Sequence, residues 1–168
     1  MYNVRLTMMN DLSSIDWALL PQPEWNQPDT IPKVLRELAT AKDRDTAREG
    51  YHRVLYALGN NHAGSYFPVA VTVVPFLGEI LECGPDWSRE TVLDILIDLW
   101  CSFAPEPAFR EMMCPDGSTK PVELLLKKAI VQLRPLVQGI VDSADTTVRP
   151  RKLAQELLES ILGNEGTA

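Results

Sequence analysis

Two clusters in this sequence bring together residue types able to do chemistry. The first is the turn holding Asn60, Asn61, His62 and Tyr66, where an imidazole lies among amides and a phenol. A general base there needs an orienting partner and a nucleophile within hydrogen-bond reach. The other histidine is His52, and neither has a serine or cysteine nucleophile signature beside it, so the turn is expected to satisfy backbone groups left open at two helix ends. The spacing of His52 and His62 is no metal-ligand motif. No catalytic group, metal or cofactor is therefore expected.

The second cluster is the row Glu90, Asp94 and Asp98. A spacing of four sets three carboxylates on one helix face, where each like-charge pair costs ~0.2–0.5 kcal/mol. Asp98 also lies towards the helix C-terminus, where the dipole disfavours an anion. A local loss of stability with no structural return points to a binding surface. Glu79, Glu82 and Asp86 extend the patch, and Trp87 and Trp100 flank it. The competing account is an ordinary solvated face balanced by Arg48, Arg53, Lys127 or Lys128.

Charge placement agrees with a binding surface. The chain of 168 residues carries −7, and residues 62–118 alone carry that whole imbalance. Such a field attracts basic partners and repels phosphate backbones, which argues against direct nucleic-acid binding.

The elements that must position the row read as helices. Thr30 caps the first, with Pro32 in its first turn and Val34, Leu35 and Leu38 at helical spacing, ending near Lys42. Thr46 and Glu49 fit a capping box for the second, which runs through Tyr51, Val54, Leu55 and Leu58 to a left-handed Gly59. Gly50 inside it implies close packing against a neighbour. The third helix is expected over 66–82, interrupted by Pro75, and the fourth over 89–103, with Ser88 as N-cap and a Trp87–Val92 hydrophobic staple. Residues 104–118 read as a loop with one helical turn near 109–113. A fifth helix follows over 121–141 and a sixth over 147–162, capped by Asp145, with GNEGTA loose. No strand is expected.

The domain plan is an irregular N-terminal cap over 1–30, a helical domain over 31–163 and a loose tail over 164–168. Ile15, Trp17, Leu19 and Leu20 would cover the open end of the core. Cys83, Cys101 and Cys114 form no close pair, so the first two are expected as buried thiols and the third in an exposed loop. The start MYNVRLTMMN lacks a secretory signal pattern, and the longest apolar run is broken by Pro68 and Pro75, short of the ~20 residues that span a bilayer. A cytoplasmic protein with no membrane partner is the expectation.

Pro32, Pro75 and Pro135 can be laid over one another. Each is followed by apolar residues, then an acidic turn at Asp43, Asp86 or Asp145, then Arg48, Arg89 or Arg149. Helical pairs recurring at ~40–47 residues mark HEAT or armadillo units, which stack to bury a face that none buries alone. The fold expectation is all-α: a HEAT/armadillo-like stack of about three helical pairs, an α-solenoid, with a plain six-helix bundle as the alternative.

Ile15-Asp16-Trp17, then Gly59-Asn60, His62, Gly64 and Tyr66, then Val74-Pro75-Phe76-Leu77 give the chain a resemblance over about residues 12–100. It resembles bacterial HEAT-like repeat proteins, some of which are similar to immunity proteins paired with toxins. The resemblance implies an immunity protein, and the acidic surface makes a basic, nuclease-like toxin the expected partner of a non-enzymatic protein. On that reading Glu79, Glu82, Asp86, Trp87, Glu90, Asp94 and Asp98 meet the partner. A scaffold or regulatory module of a bacterial assembly is the alternative. A HEAT-like DNA glycosylase would need a positively charged groove, which the central −7 opposes.

Overall fold

The computed structural model describes residues 12–165, which are mostly helical with little strand. The first eleven residues and the last three, with the apolar start and the end of the tail, lie outside the described residues. The α-helices are α1 (Thr30–Ala39), α2 (Arg44–Leu58), α3 (Val69–Cys83), α4 (Asp86–Cys101), α5 (Val122–Gln132), α6 (Arg134–Asp142) and α7 (Val148–Glu165). No helix among the described residues is long and apolar enough to cross a membrane.

These helices form two layers. α1 packs on α2, α3 on α4 and α6 on α7, which makes three pairs. The second helices line up, α2 against α4 and α4 against α7, while α3 touches both α1 and α6. α5 packs beside α3. The core sits between the layers, and α3 is its apolar centre, with Val69, Ala70, Val73, Val74, Leu77, Ile80 and Leu81 buried. Close helix contact also explains Gly50, since a Cβ there would meet Leu38 Cδ1 at 3.1 Å.

Several helix boundaries differ from the sequence expectation, each for a local reason. Asp43, not Thr46, caps α2: its carboxylate accepts from the Thr46 N–H at 2.8 Å and from the Thr46 hydroxyl at 2.7 Å. Those hydrogen bonds, the backbone one foremost, hold the Asp43 carboxyl below its ordinary pKa. α4 begins at Asp86 behind an extended Pro85, so Ser88 lies inside the helix rather than capping it. Ser88 is fully buried and donates its hydroxyl to the Leu38 carbonyl at 2.7 Å, while Trp87 donates Nε1 to the Ala41 carbonyl at 2.8 Å. Both side chains thereby tie the first turn of α4 to the end of α1.

The expected 121–141 helix is two helices, because Pro135 has no N–H to offer a carbonyl one turn earlier and lies at the start of α6. Pro75 instead stays inside α3, on its exposed side, and Pro32 lies in the first turn of α1. The three prolines therefore occupy different helical positions. α7 opens at Val148 and runs through Glu165, so the expected loose tail is helical to that point.

Short strands appear where none was expected. β1 (Gly59–Asn60) pairs antiparallel with β2 (Ser65–Tyr66), which pairs parallel with β3 (Ala104–Pro105). β4 (Glu111–Met113) and β5 (Thr119–Pro121) form a hairpin, with a 3-10 turn at Pro107–Phe109 in place of the expected helical turn. In the N-terminal segment Trp17 is buried against Phe76, with ring centroids 6.0 Å apart, and Ile15 and Leu20 pack on the core, but Leu19 is exposed. Cys83 and Cys101 are exposed at the ends of α3 and α4, which reverses the expectation for both, whereas Cys114 lies in the expected loop and is half-buried there. Each of the first two closes its helix, where the chain leaves the core.

Candidate functional site

The row of carboxylates on α4 forms the floor of a recess of about 640 Å³. α4 contributes Trp87, Glu90, Thr91, Asp94, Ile97 and Asp98, a set that recurs every three or four residues and so shares one helix face. α2 supplies Arg44, Arg48, Tyr51 and His52 on one side. α7 supplies Arg149, Leu153 and Glu156 on the other.

Glu90 is the anchor. Its side chain is only 7% exposed, and two guanidiniums reach it, Arg44 at 2.8 Å and Arg149 at 3.5 Å. A carboxylate so far from water requires charged partners, whereas the arginines remain mostly in solvent. Arg149 also reaches Asp94 at 3.7 Å. Asp98 accepts a hydrogen bond from the Tyr51 hydroxyl. Burial, then that bond to the Asp98 carboxylate, pushes the phenol well above its ordinary value. The His52 ring stands edge-on to Tyr51, centroids 5.0 Å apart. Since Arg44 meets Glu90 and Tyr51 meets Asp98, α2 and α4 run in the same direction.

Asp94 is the perturbed acid. Burial raises its pKa above the usual carboxylate value, Arg149 works against that rise, and Asp98, Glu90 and Glu156 add to it. The folded protein therefore holds a proton at Asp94 at a pH where the unfolded chain has lost it. That linkage stabilises the fold below the unfolded value of about 3.9 and is lost as pH rises through the folded value. At neutral pH ionised Asp94 is a cost, so Asp94→Asn is expected to stabilise the protein at pH 7. With the side chain 37% exposed, solvent screening keeps the gain below about 1 kcal/mol. Urea unfolding at pH 7 and pH 3 checks this: the gain should vanish at the lower pH, and a loss at pH 7 would mean that the Arg149 pairing outweighs desolvation.

Of the residues picked from sequence, Trp87, Glu90, Asp94 and Asp98 meet in the recess, and Glu79, Glu82 and Asp86 do not line it. Glu79 is half-buried on α3 and Glu82 is exposed, its main-chain carbonyl accepting from Arg89 at 3.0 Å. Asp86 pairs with Arg89 at 3.6 Å. Trp100 is buried under Lys127, whose Nζ lies 5.7 Å from the ring centroid. Two of the four cations expected to balance the row are engaged elsewhere, Arg53 with Glu37 and Glu49 and Lys127 with Glu123, and Lys128 does not line the recess. Arg48 lines the recess with no carboxylate partner among the described residues.

The His62 turn has a structural task. Asn60 Oδ1 accepts from the N–H groups of His62 and Ala63, both at 3.1 Å, and the Ser65 hydroxyl donates to Glu106 at 2.7 Å. The positive φ lies at Gly64 (65°), whereas Gly59 is extended and needs its missing side chain for another reason, the main chain of Ser65 and Tyr66 passing directly over it. His62 itself is exposed. No group of three or more His, Cys, Asp or Glu side chains among the described residues is placed to hold a metal ion.

Compared with protein-family models, with curated proteins and with solved structures, the chain matches none.

Proposed function

We propose that this chain is a non-enzymatic protein-binding module, a HEAT/armadillo-like stack of three helical pairs whose second helices present an acidic recess to a basic partner protein. The stacking of α2 on α4 and of α4 on α7, each backed by its own first helix, supports the repeat architecture. The segment 102–132, with the β4–β5 hairpin and α5, is then an insertion between the second and third pairs.

The observation that carries the reading is the gathering of Asp94, Asp98 and Glu156 in one recess, with Arg149 the only cation bridging to any of the three among the described residues. Acidic side chains collected on a rigid helical floor favour the approach of lysines and arginines and speed their encounter. Trp87, half-buried at the rim, adds an apolar contact of the kind that anchors interfaces. An immunity protein that covers the active surface of a basic, nuclease-like toxin in a bacterium is the most concrete form of this function. It accords with the resemblance carried by the 59–66 turn and the Val74-Pro75-Phe76-Leu77 helix.

The test is a photo-crosslinking residue at His52, exposed beside the recess, with capture in the source organism and identification by mass spectrometry. The expected partner is a basic protein. Asp94→Lys with Asp98→Lys should slow its association about tenfold or more at low salt. An acidic partner, or association unchanged by the double reversal, would sink the proposal.

A further inference from the structure

We infer that the recess is bipolar and selects a partner segment that carries an acidic and a basic side chain on one face, the acid docking at an arginine end and the base at a carboxylate end. This rests on the reading of the recess as a protein-binding surface and names the chemistry of what it binds.

The two ends differ in how their charges are matched. At the first, Arg44 and Arg149 converge on the single carboxylate of Glu90. Both guanidiniums remain open to solvent, 69% and 62% exposed, so each keeps donors for a further acceptor. That end holds more positive charge than Glu90 alone neutralises. Arg48, one turn after Arg44 and level with Asp94 in the register set by the Arg44–Glu90 and Tyr51–Asp98 contacts, adds a third cation beside it with no carboxylate bound to it. At the other end Asp98 takes a hydrogen bond from the neutral Tyr51 hydroxyl and makes no ion pair among the described residues. Glu156 adds its carboxylate from α7, and its charge is felt at Asp94 between the two ends. No lysine lines the recess.

The ends are separated along α4 by the two helical turns from Glu90 to Asp98, about 12 Å. Side chains seven residues apart on a partner helix lie on one face about 10.5 Å apart, a close match in either direction of approach. A wholly basic segment would set one cation against the arginines, and a wholly acidic one an anion against Asp98 and Glu156. Each mismatch is a like-charge contact that discriminates against the wrong partner.

Three blocked, alanine- and glutamine-based helical peptides distinguish the possibilities. One carries Glu and Lys seven residues apart, one carries Lys at both places and one carries Glu at both. Each is titrated into the 15N-labelled full chain at low salt. The Glu/Lys peptide is expected to bind about three- to five-fold more tightly than the Lys/Lys peptide and to shift amide signals on α2 near Arg44 and on α4 near Asp98. Arg44→Gln, which leaves Arg149 on Glu90, should abolish that preference without weakening the Lys/Lys peptide. Equal or tighter binding of the Lys/Lys peptide would overturn the bipolar assignment while leaving the acidic recess standing. Tightest binding by the Glu/Glu peptide, or no shifts in the recess with any peptide, would overturn both.

Discussion

Gly59→Ala is expected to destabilise the protein by about 3–5 kcal/mol, at the upper end of what single substitutions do. The reason is not the backbone angle, since φ at Gly59 is 176°, which any residue adopts. A Cβ there would fall inside the Ser65 carbonyl oxygen and 2.7 Å from the Tyr66 Cα, and main chain cannot rotate aside as a side chain can. Relief requires parting β1 from β2, which pulls at the Phe67 N–H bond to the Leu58 carbonyl and at buried Tyr66. Gly139→Ala is the matched control. Gly139 lies in α6 with open space where a Cβ would go, so alanine there should stabilise by up to about 1 kcal/mol through helix propensity. Opposite signs in urea unfolding would confirm that close approach, rather than loss of glycine as such, is what matters at 59. A Gly59→Ala cost below about 1 kcal/mol would mean that the turn is not held as described.

The second large effect is in the core. Leu96→Ala should cost about 2–5 kcal/mol, transfer loss plus the cavity left behind. Leu96 is fully buried, and it lies two residues, about 200°, round α4 from Asp94, on the side away from the recess. The substitution should lower the urea midpoint with the slope unchanged, as expected when stability falls without a change in the surface exposed on unfolding. A changed slope would instead indicate that α4 no longer folds with the rest of the chain.

The contrast between these substitutions shows which parts of the molecule the sequence reveals. Leu35, Leu38, Leu93 and Leu96 stand at helical spacing, so the existence of α1 and α4 can be read directly from one stretch of chain. The four-residue spacing of Glu90, Asp94 and Asp98 likewise defines a shared face before any coordinates are known. Their partners cannot be found in this way. Arg44 lies 46 residues from Glu90, and Arg149 is contributed by the last helix, so their convergence depends on how three helices stack. In the sequence Arg149 stands as the basic residue after the third acidic turn, close to Arg151 and Lys152. In the fold these part company: Arg149 turns into the recess, while Arg151 donates to the carbonyls of Ser143 and Thr146.

Helix ends were the least legible feature, because several residues near each end compete for the same open N–H groups. Asp43 outcompetes Thr46 by accepting from both its backbone and its hydroxyl. Pro85 starts α4 early enough to carry Ser88 into the core, where its hydroxyl finds Leu38. Cysteine's preference for burial fails at Cys83 and Cys101 because each closes a helix rather than facing the core.

The small parallel pairing of β2 with β3 has a mechanical consequence for the recess. It joins the chain leaving α2 to the chain leaving α4, through hydrogen bonds of 2.9 Å from Ala104 to Gly64 and 2.7 Å from Glu106 to Tyr66. At the opposite end of α4, Trp87 and Ser88 fasten it to the carbonyls of Ala41 and Leu38, at the end of α1. α4 is thus tied at both ends, by bonds to main chain, to the chain on either side of α2. α7 is attached to α4 across the recess by packing and by the solvent-exposed Arg149, without such a main-chain tie among the described residues. The opening therefore has one jaw joined to its floor through main chain and one jaw held to the same floor by side-chain packing.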